Sequence, residues 1–315
     1  MSGWLWAGAA AAAGIAAAPF LRERLRPEMD AEARRAAPGD FAPLPLGDTH
    51  YMLAGQARGP LAVCVHGLST PSFVWEALLP ELARLGFRVL VYDLYGRGFS
   101  DRPAGRQDAA FFIGQLDALL AGLLEEDEEI TLIGYSMGGA IAAAYAAHHP
   151  ERVRRLVLLA PAGMGHDLGP LARLVRGAPL LGDWLFLAGY PWQLRRGIAE
   201  EAASGRESAV PDMADRQAAE LRWRGFLPAV KASLRGILAR PMEAEHRAIS
   251  RAGVPVLAIW GREDTVIPIS GLGRLAQWNR VARQEVIEGA GHGLAYTHAP
   301  EVAETMRDFV EDPPD

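Results

Sequence analysis

Short apolar segments recur along the chain, and most are continuous rather than alternating with polar residues. Continuous runs are typical of strands in a parallel sheet that is covered on both faces. They predict strands at residues 50–54, 61–65, 87–92, 130–134, 153–159, 254–260 and 284–288. Patterns with helical spacing separate these segments, for example Leu78, Leu82 and Leu85. This alternation predicts an α/β fold with a doubly wound, mostly parallel sheet.

The interval 163–251 breaks the alternation of strands and helices. It has helical character, contains no convincing strand pattern and is rich in aromatic residues, namely Trp184, Phe186, Trp192, Trp223 and Phe226. We interpret it as a helical cap, or lid, inserted between two strands. The core then comprises residues 43–162 and 252–315, with a linker at 27–42. Aromatic side chains suit a lid over an apolar substrate, although at helical spacing they more often serve only as core.

The amino-terminal segment, residues 1–26, is predicted to be hydrophobic. Residues 4–20 carry no charge and consist mostly of alanine, and Arg22, Glu23 and Arg24 follow. A helix of this length spans roughly 25 Å, the lower limit for crossing a bilayer. We therefore expect a membrane-associated protein whose catalytic domain lies on the cytoplasmic side. Two alternatives are a signal peptide cleaved after export, and a tail that packs on its own domain.

Composition excludes several classes of function. Of the 315 residues, 50% are hydrophobic, and the formal net charge of −6 argues against a nucleic-acid partner, which requires a basic face. The single cysteine, Cys64, excludes an intramolecular disulfide and a cysteine-based zinc site. The glycine cluster 289–293 lacks the dinucleotide-binding spacing, so we expect no cofactor and no metal. The acidic run 125–129 is predicted to be a solvated loop without function.

The most informative motif is Gly134-Tyr135-Ser136-Met137-Gly138. It lies between an apolar, β-branched run and an alanine-rich helical run. A serine with glycines two residues away on each side, between a strand and a helix, is the nucleophile-elbow pattern. The sharp turn requires neighbours without bulk and exposes the serine oxygen. Ser136 is therefore the candidate nucleophile.

A serine hydroxyl needs a base, usually a histidine that is oriented by a carboxylate. After an elbow of this kind, the acid follows a later strand and the histidine follows the last one. Asp264 and His292 occupy these positions. Glu263 and Asp167 are alternative acids. The other histidines considered, His148, His149 and His298, are weaker candidates for the base.

An oxyanion hole needs two backbone N–H donors directed at the developing negative charge. Met137 supplies one from the elbow. The second is expected from the loop after the strand at 61–65, where His66-Gly67-Leu68-Ser69 stands. We expect His66 and Gly67 to fix this loop and the N–H of Leu68 to point inward.

Taken together, these motifs resemble the α/β-hydrolase superfamily over about residues 45–312. The resemblance rests on His66-Gly67, the stretch from Asp93 to Pro103, the serine elbow, Asp264 and His292. It implies the α/β-hydrolase fold of the serine esterase and lipase-like branch with a helical cap. It also implies that the Asp-x-x-Gly-x-Gly-x-Ser stretch at 93–100 is a structural turn. Serine at the elbow differs from the epoxide hydrolases and haloalkane dehalogenases, which carry aspartate there.

The implied reaction is acyl transfer to water through an acyl-enzyme. The expected substrate is a small-molecule carboxylic ester of an apolar acyl group, as for an esterase or monoacylglycerol lipase. An alternative is carbon–carbon bond hydrolysis of diketones from aromatic ring cleavage, which requires polar groups such as Arg195, Arg196, Arg222 or Arg224 in the cap. Haloperoxidase-like or acyltransferase-like activity is a smaller variant. A non-catalytic binding module is the alternative of a different class.

Overall fold

An eight-stranded sheet runs through the computed structural model, which describes residues 2–124, 128–167 and 169–311. The strands are β1 (Asp40–Leu44), β2 (Gly47–Gly55), β3 (Leu61–Val65), β4 (Arg88–Tyr92), β5 (Ile130–Tyr135), β6 (Val153–Leu159), β7 (Val256–Gly261) and β8 (Arg283–Ile287). Their spatial order is β1-β2-β4-β3-β5-β6-β7-β8. β1 and β2 pair antiparallel, as do β2 and β4, and all other pairs are parallel. The predicted α/β fold with a doubly wound, mostly parallel sheet is confirmed.

All seven predicted strands are present, with ends displaced by up to three residues. The eighth, β1, lies at the boundary of the predicted linker 27–42 and was missed. It is an edge strand with Pro43 inside it, a residue that edge strands tolerate because one side of the strand makes no ladder bonds. Residues 125–127 of the predicted acidic loop and residues 312–315 of the predicted core lie outside the described residues.

Helices precede, separate and follow the strands. They are α1 (Ser2–Arg24), α2 (Leu79–Arg84), α3 (Ala109–Ala121), α4 (Met137–His148), α5 (Pro170–Gly177), α6 (Pro179–Ala202), α7 (Met213–Ala219), α8 (Phe226–Arg235), α9 (Glu243–Ala252), α10 (Gly271–Trp278), α11 (Leu294–Thr297) and α12 (Ala299–Glu311). Short 3₁₀ segments occur at Ala33–Ala36, Ser72–Trp75, Pro150–Arg152, Glu220–Arg222 and Ile237–Ala239.

Both faces of the sheet are buried, which explains the continuous apolar runs. In β3, Leu61, Val63 and Val65 join one hydrophobic cluster, whereas Ala62 and Cys64 join the cluster on the opposite face. All five side chains are fully buried. Burial raises the pKa of the Cys64 thiol, so this residue packs in the core and is not a reactive thiol.

All regular secondary structure in the described part of the interval between β6 and β7 is helical. α5 packs on α6, and α6 contacts α7 and α8. α9, the last helix of the interval, packs instead against α4. The long helix α6 contains Pro191 and carries much of the aromatic content that the sequence places in this region.

The expected membrane location is wrong. Within residues 2–124, 128–167 and 169–311, no helix is long and apolar enough to cross a bilayer. The reason lies in the composition of α1: alanine and glycine contribute little apolar surface, and Arg22 and Arg24 stand in its last turn. The helix packs against α6, and the Trp184 indole N–H donates a 3.2 Å hydrogen bond to the carbonyl of Ile15.

Candidate active site

Ser136 lies at the sharp junction between β5 and α4. Its backbone angles, φ 54° and ψ −118°, are strained for a residue with a side chain. The turn requires glycine at both positions. A Cβ on Gly134 would collide with the carbonyl of Gly138, and one on Gly138 would collide with the carbonyl of Val65. The Ser136 N–H donates to the carbonyl of Leu159 at 2.9 Å. The strand, the helix and the neighbouring strand therefore fix the serine together.

The structure brings Ser136, His292 and Asp264 into one hydrogen-bonded chain. Ser136 Oγ lies 3.0 Å from His292 Nε2, and His292 Nδ1 lies 2.8 Å from Asp264 Oδ2. Because a carboxylate accepts hydrogen bonds, Nδ1 carries the proton and Nε2 is free to accept the serine proton. The loop after β8 supplies His292, and the loop after β7 supplies Asp264.

Asp264 is held rigidly from its other side. Its Oδ1 accepts the N–H groups of Val266 and Ile267, both at 2.7 Å, and its side chain is 1% exposed. The two alternative acids lie elsewhere. Glu263 pairs with Arg206 at 3.0 Å, and Asp167 accepts the Gly169 N–H at 3.0 Å near the surface.

The loop after β3 stands beside the serine, and His66 fixes it. The Leu94 N–H donates to His66 Nε2 at 2.9 Å, so His66 Nδ1 carries the proton and donates to the Gly67 carbonyl at 2.9 Å. Burial lowers the pKa of His66 to about 4, which keeps this imidazole neutral. Among the described residues, the N–H groups of Leu68 and Met137 donate to no other protein group. Both amides are available to a ligand at Ser136.

Sequence reasoning missed Arg97, which holds the same loop from behind. Its Nε donates to the Leu68 carbonyl at 3.2 Å, and its Nη2 donates to Ser233 Oγ of α8 at 2.7 Å. The guanidinium is fully buried, and burial lowers its pKa to about 9. The only signal in the sequence is an arginine between two glycines within the 93–100 turn.

The 93–100 turn itself is organised by the buried Asp93. Its carboxylate accepts the N–H of Ser72 at 2.8 Å and the N–H of Phe99 at 2.9 Å. It also lies 2.7 Å from His50 Nδ1. These contacts agree with a scaffolding role for the turn.

A cavity of about 320 Å³ opens directly over Ser136. Its walls are mainly apolar and come from both the sheet side and the helical interval, with Leu68, Leu171, Phe186, Leu194, Ile198, Leu234, Leu238 and Ile267 among them. Phe186 stacks on Tyr190 with ring centroids 4.5 Å apart. Phe186 lines the cavity. Trp192, which is 66% exposed, does not.

One wall of the cavity is polar and was not anticipated from the sequence. Glu201 lines it, and Glu201 Oε1 is buried with no hydrogen-bond partner among the described residues. The nearest cation, Arg206 Nη2, is 3.8 Å from Glu201 Oε2. Tyr135 and Tyr296 lie on the same wall, and the Tyr135 hydroxyl donates to the His292 carbonyl at 3.1 Å.

The arginines considered as carboxylate ligands lie outside this cavity. In the part of the chain that the structure describes, no arginine or lysine lines it. Arg196 pairs with Glu200, Arg224 pairs with Glu28, and Arg195 and Arg222 line a separate cavity. The described residues also contain no group of three or more His, Cys, Asp or Glu side chains placed to hold a metal ion.

Comparison with known proteins agrees with this architecture. The sequence model of the alpha/beta hydrolase fold matches residues 60–299. The 2-hydroxymuconate semialdehyde hydrolase of Pseudomonas sp. (strain CF600) is 33% identical over 75% of this chain and 80% of that protein. A pimeloyl-[acyl-carrier protein] methyl ester esterase of Aeromonas hydrophila is 30% identical over 80% of this chain and 96% of that protein. The solved enol-lactonase of Burkholderia xenovorans LB400 superimposes with a TM-score of 0.69 at 23% identity, covering 87% and 100% of the two chains.

Proposed function

Because this chain belongs to the alpha/beta hydrolase fold family, we propose that it is a serine hydrolase of neutral, apolar carboxylic esters. The observation that carries the proposal is the chain of hydrogen bonds from Ser136 through His292 to Asp264 at the floor of the apolar cavity. A nucleophile, its base and the residue that orients the base are the groups that acyl transfer requires.

The first half of the proposed reaction acylates Ser136. His292 Nε2 takes the hydroxyl proton while the serine oxygen attacks the ester carbonyl, and the amides of Leu68 and Met137 stabilise the oxyanion. His292 then gives that proton to the departing alkoxide, and the C–O bond of the ester breaks. Asp264 stays ionised and stabilises the imidazolium that forms in between.

The second half repeats these roles with water. Water gives a proton to His292 Nε2 and attacks the acyl-enzyme carbonyl. Collapse of the second oxyanion releases the carboxylic acid, and the proton returns to Ser136. The Oγ–Nε2 distance of 3.0 Å allows both proton transfers without movement of the backbone.

The lining of the cavity favours a neutral acyl group. Most of the walls are aliphatic or aromatic, so an alkyl chain would bury apolar surface there at about 25 cal/mol per Å². A substrate with a free carboxylate would instead approach Glu201, and two like charges in a partly desolvated cavity repel each other. An alcohol hydroxyl could donate to the unpartnered Glu201 Oε1.

Carbon–carbon bond hydrolysis is the second candidate, favoured by the similarity to 2-hydroxymuconate semialdehyde hydrolases from two Pseudomonas sources, at 33% and 31% identity. The same serine, histidine and aspartate could act on a ketone carbonyl. The charge of the cavity opposes it, because a muconate-type substrate carries a carboxylate and no cationic side chain of the described residues lines the cavity.

A substrate panel with an active-site probe tests the proposal. We expect a fluorophosphonate to label the protein, Ser136→Ala to abolish labelling, and Ser69→Ala, which removes a second serine lining the same cavity, to retain it. p-Nitrophenyl butyrate and octanoate should turn over with kcat/KM at least about tenfold above that for 2-hydroxymuconate semialdehyde. Faster cleavage of the semialdehyde would establish the second candidate. If the protein shows neither labelling nor turnover, the non-catalytic binding module becomes the preferred interpretation.

A further inference from the structure

Four arginines line a second cavity, on a different face of α6 from the one that lines the cavity over Ser136. Arg22 and Arg26 come from the end of α1 and the residues after it, Arg195 comes from α6, and Arg222 comes from the 3₁₀ segment before α8. The remaining lining is small and mostly apolar: Pro191, Ala218, Ala219 and Leu221. We name this the arginine cavity.

The positive charge of the arginine cavity is poorly compensated. The carboxylate of Glu23 lies 3.2 Å from Arg26 Nη1, but these two buried atoms form no hydrogen bond. In the described ranges, Arg22 and Arg195 form no ion pair, and Arg222 only stacks over the ring of Trp223, 4.8 Å from its centroid. Four arginines thus line the cavity, and only Arg26 lies within ion-pair distance of a carboxylate.

The arginines also repel one another, which an anion between them would relieve. Burial lowers the pKa of Arg26, and the charges of Arg22 and Arg195 lower it further, against the opposing effect of Glu23. The chain as a whole is acidic, with a formal net charge of −6. The clustering of cations here is therefore not a consequence of a generally basic surface.

The walls of the cavity are held in place by contacts that do not use the four arginines. Glu23 Oε1 accepts the Gly225 N–H at 2.8 Å, and the Arg224 N–H donates to the Pro27 carbonyl at 2.8 Å. These bonds fasten the chain after α1 to the loop before α8. The arginines are thus presented from a fixed frame, which reduces the ordering cost of binding.

We propose that the arginine cavity is a binding site for a phosphate-class dianion, either free or carried on a small molecule. Guanidinium groups match the oxygen geometry of phosphate with two parallel N–H donors each. Convergence of Arg22, Arg26, Arg195 and Arg222 from separate elements means that one bound anion clamps the end of α1 onto α6. The same helix presents Leu194 and Ile198 to the active-site cavity.

Binding is measured without turnover, by calorimetric titration of the full chain with inorganic phosphate and pyrophosphate at constant ionic strength. We expect both to bind, pyrophosphate more tightly, and each to raise the melting temperature. Arg195→Gln and Arg22→Gln should each weaken binding about tenfold, the loss expected for one charge-assisted contact. The matched control is Arg196→Gln, the same charge change at the next position of α6, where the side chain pairs with Glu200.

Four results separate the outcomes. The proposal is overturned if phosphate does not bind at millimolar concentration. It is also overturned if Arg195→Gln and Arg196→Gln weaken phosphate binding equally, because that result indicates only general charge attraction. If binding is found, hydrolysis of a short-chain acylglycerol phosphate and of the matching neutral acylglycerol identifies its source. A rise in KM confined to the phosphate ester in Arg195→Gln places the anion on the substrate. Equal KM values in wild type and variant indicate a separate small-molecule ligand.

Discussion

The Arg97 Nε–H donates a 3.2 Å hydrogen bond to the carbonyl of Leu68, the residue whose own N–H is the proposed second oxyanion donor. A buried cation therefore fixes the peptide group between Leu68 and Ser69 from the rear, and His66 fixes the preceding one, which carries the Leu68 N–H, through the Gly67 carbonyl. The same guanidinium reaches Ser233 of α8 at 2.7 Å. The position of α8 and the position of the oxyanion loop are coupled through this one side chain.

Arg97→Lys should impair turnover by loosening this arrangement. One ammonium nitrogen cannot span both Leu68 and Ser233, so the peptide group that follows the Leu68 N–H loses its fixed orientation while the buried charge stays. We expect kcat to fall about 10- to 100-fold with little change in KM, because the oxyanion contact forms only in the transition state. Stopped-flow measurement of acylation by p-nitrophenyl butyrate, with the melting temperature, provides the check.

Ser233→Ala is the control that separates positioning from stability. It removes the side-chain partner of Arg97 on α8 and leaves the bonds to the carbonyls of Ala229 and Leu68 in place. It should lower the free energy of unfolding by about 1–3 kcal/mol, because Ser233 Oγ both accepts from Arg97 Nη2 and donates to Gln107 Oε1, with kcat nearly unchanged. If both variants lower kcat equally, Arg97 acts through general stability and not through Leu68.

Much of the site could be predicted from the sequence because it is encoded locally. The elbow needs only a strand, two glycines and a serine, and the acid and the histidine each follow a strand end. Arg97 could not be predicted, because its partners lie 29 and 136 positions away and only packing brings them together. The fixed position of Glu201 on the cavity wall likewise depends on how α6 lies over the sheet.

The seven predicted strands reflect the same distinction. The fully buried strands β3, β5 and β7 carry nearly continuous apolar runs, whereas β1 is a short edge strand that exists through its pairing with β2. The amino-terminal helix was misread because an uncharged run was equated with a membrane span. Its many alanines carry little apolar surface, and its docking on α6 depends on tertiary contacts such as Trp184 with the Ile15 carbonyl.

Asp264→Asn tests the proposed acid. The amide cannot stabilise an imidazolium, and it favours the wrong tautomer of His292, so we expect kcat to fall by about three to four orders of magnitude. Asp264 also accepts two backbone N–H groups through Oδ1, which asparagine can still do with its carbonyl oxygen, so the loop should remain folded. Steady-state hydrolysis of p-nitrophenyl butyrate measures the loss.

Asp167→Asn is the matched substitution for that experiment. Asp167 lies near the surface, with Arg173 at 3.6 Å, and makes no contact with His292 in the described structure. The kcat of the Asp167→Asn variant should stay within about twofold of the wild-type value. A severe loss in Asp167→Asn together with a mild one in Asp264→Asn would reverse the assignment of the acid.

Glu201→Arg should alter the preference for substrate charge. The change replaces an anion with a cation on the cavity wall, so an ester of a monoanionic dicarboxylic acid gains a partner where it met repulsion. We expect its kcat/KM, relative to the neutral ester of equal length, to rise about tenfold or more. Glu200→Arg carries the same charge change one residue earlier, outside the cavity, and should leave the ratio unaltered. Equal shifts in both variants would show that the overall charge, and not Glu201, sets the preference.

The buried Glu220 should make folding stability depend on pH. Burial raises its pKa to about 7, even though the Gly98 N–H donates to Glu220 Oε2 at 3.0 Å and Arg102 acts in the opposite direction. Between the pKa of the unfolded chain, near 4.5, and about 7, the folded state binds more protons at this site than the unfolded state. The free energy of unfolding therefore falls as pH rises through that window, with an upper limit of about 3 kcal/mol from this group.

Glu220→Gln keeps a polar side chain of the same size without the titration. Urea unfolding of both proteins at pH values from 4.5 to 8 should show wild type losing stability relative to Glu220→Gln as pH increases. Parallel curves would mean that Glu220 titrates alike in the folded and unfolded states.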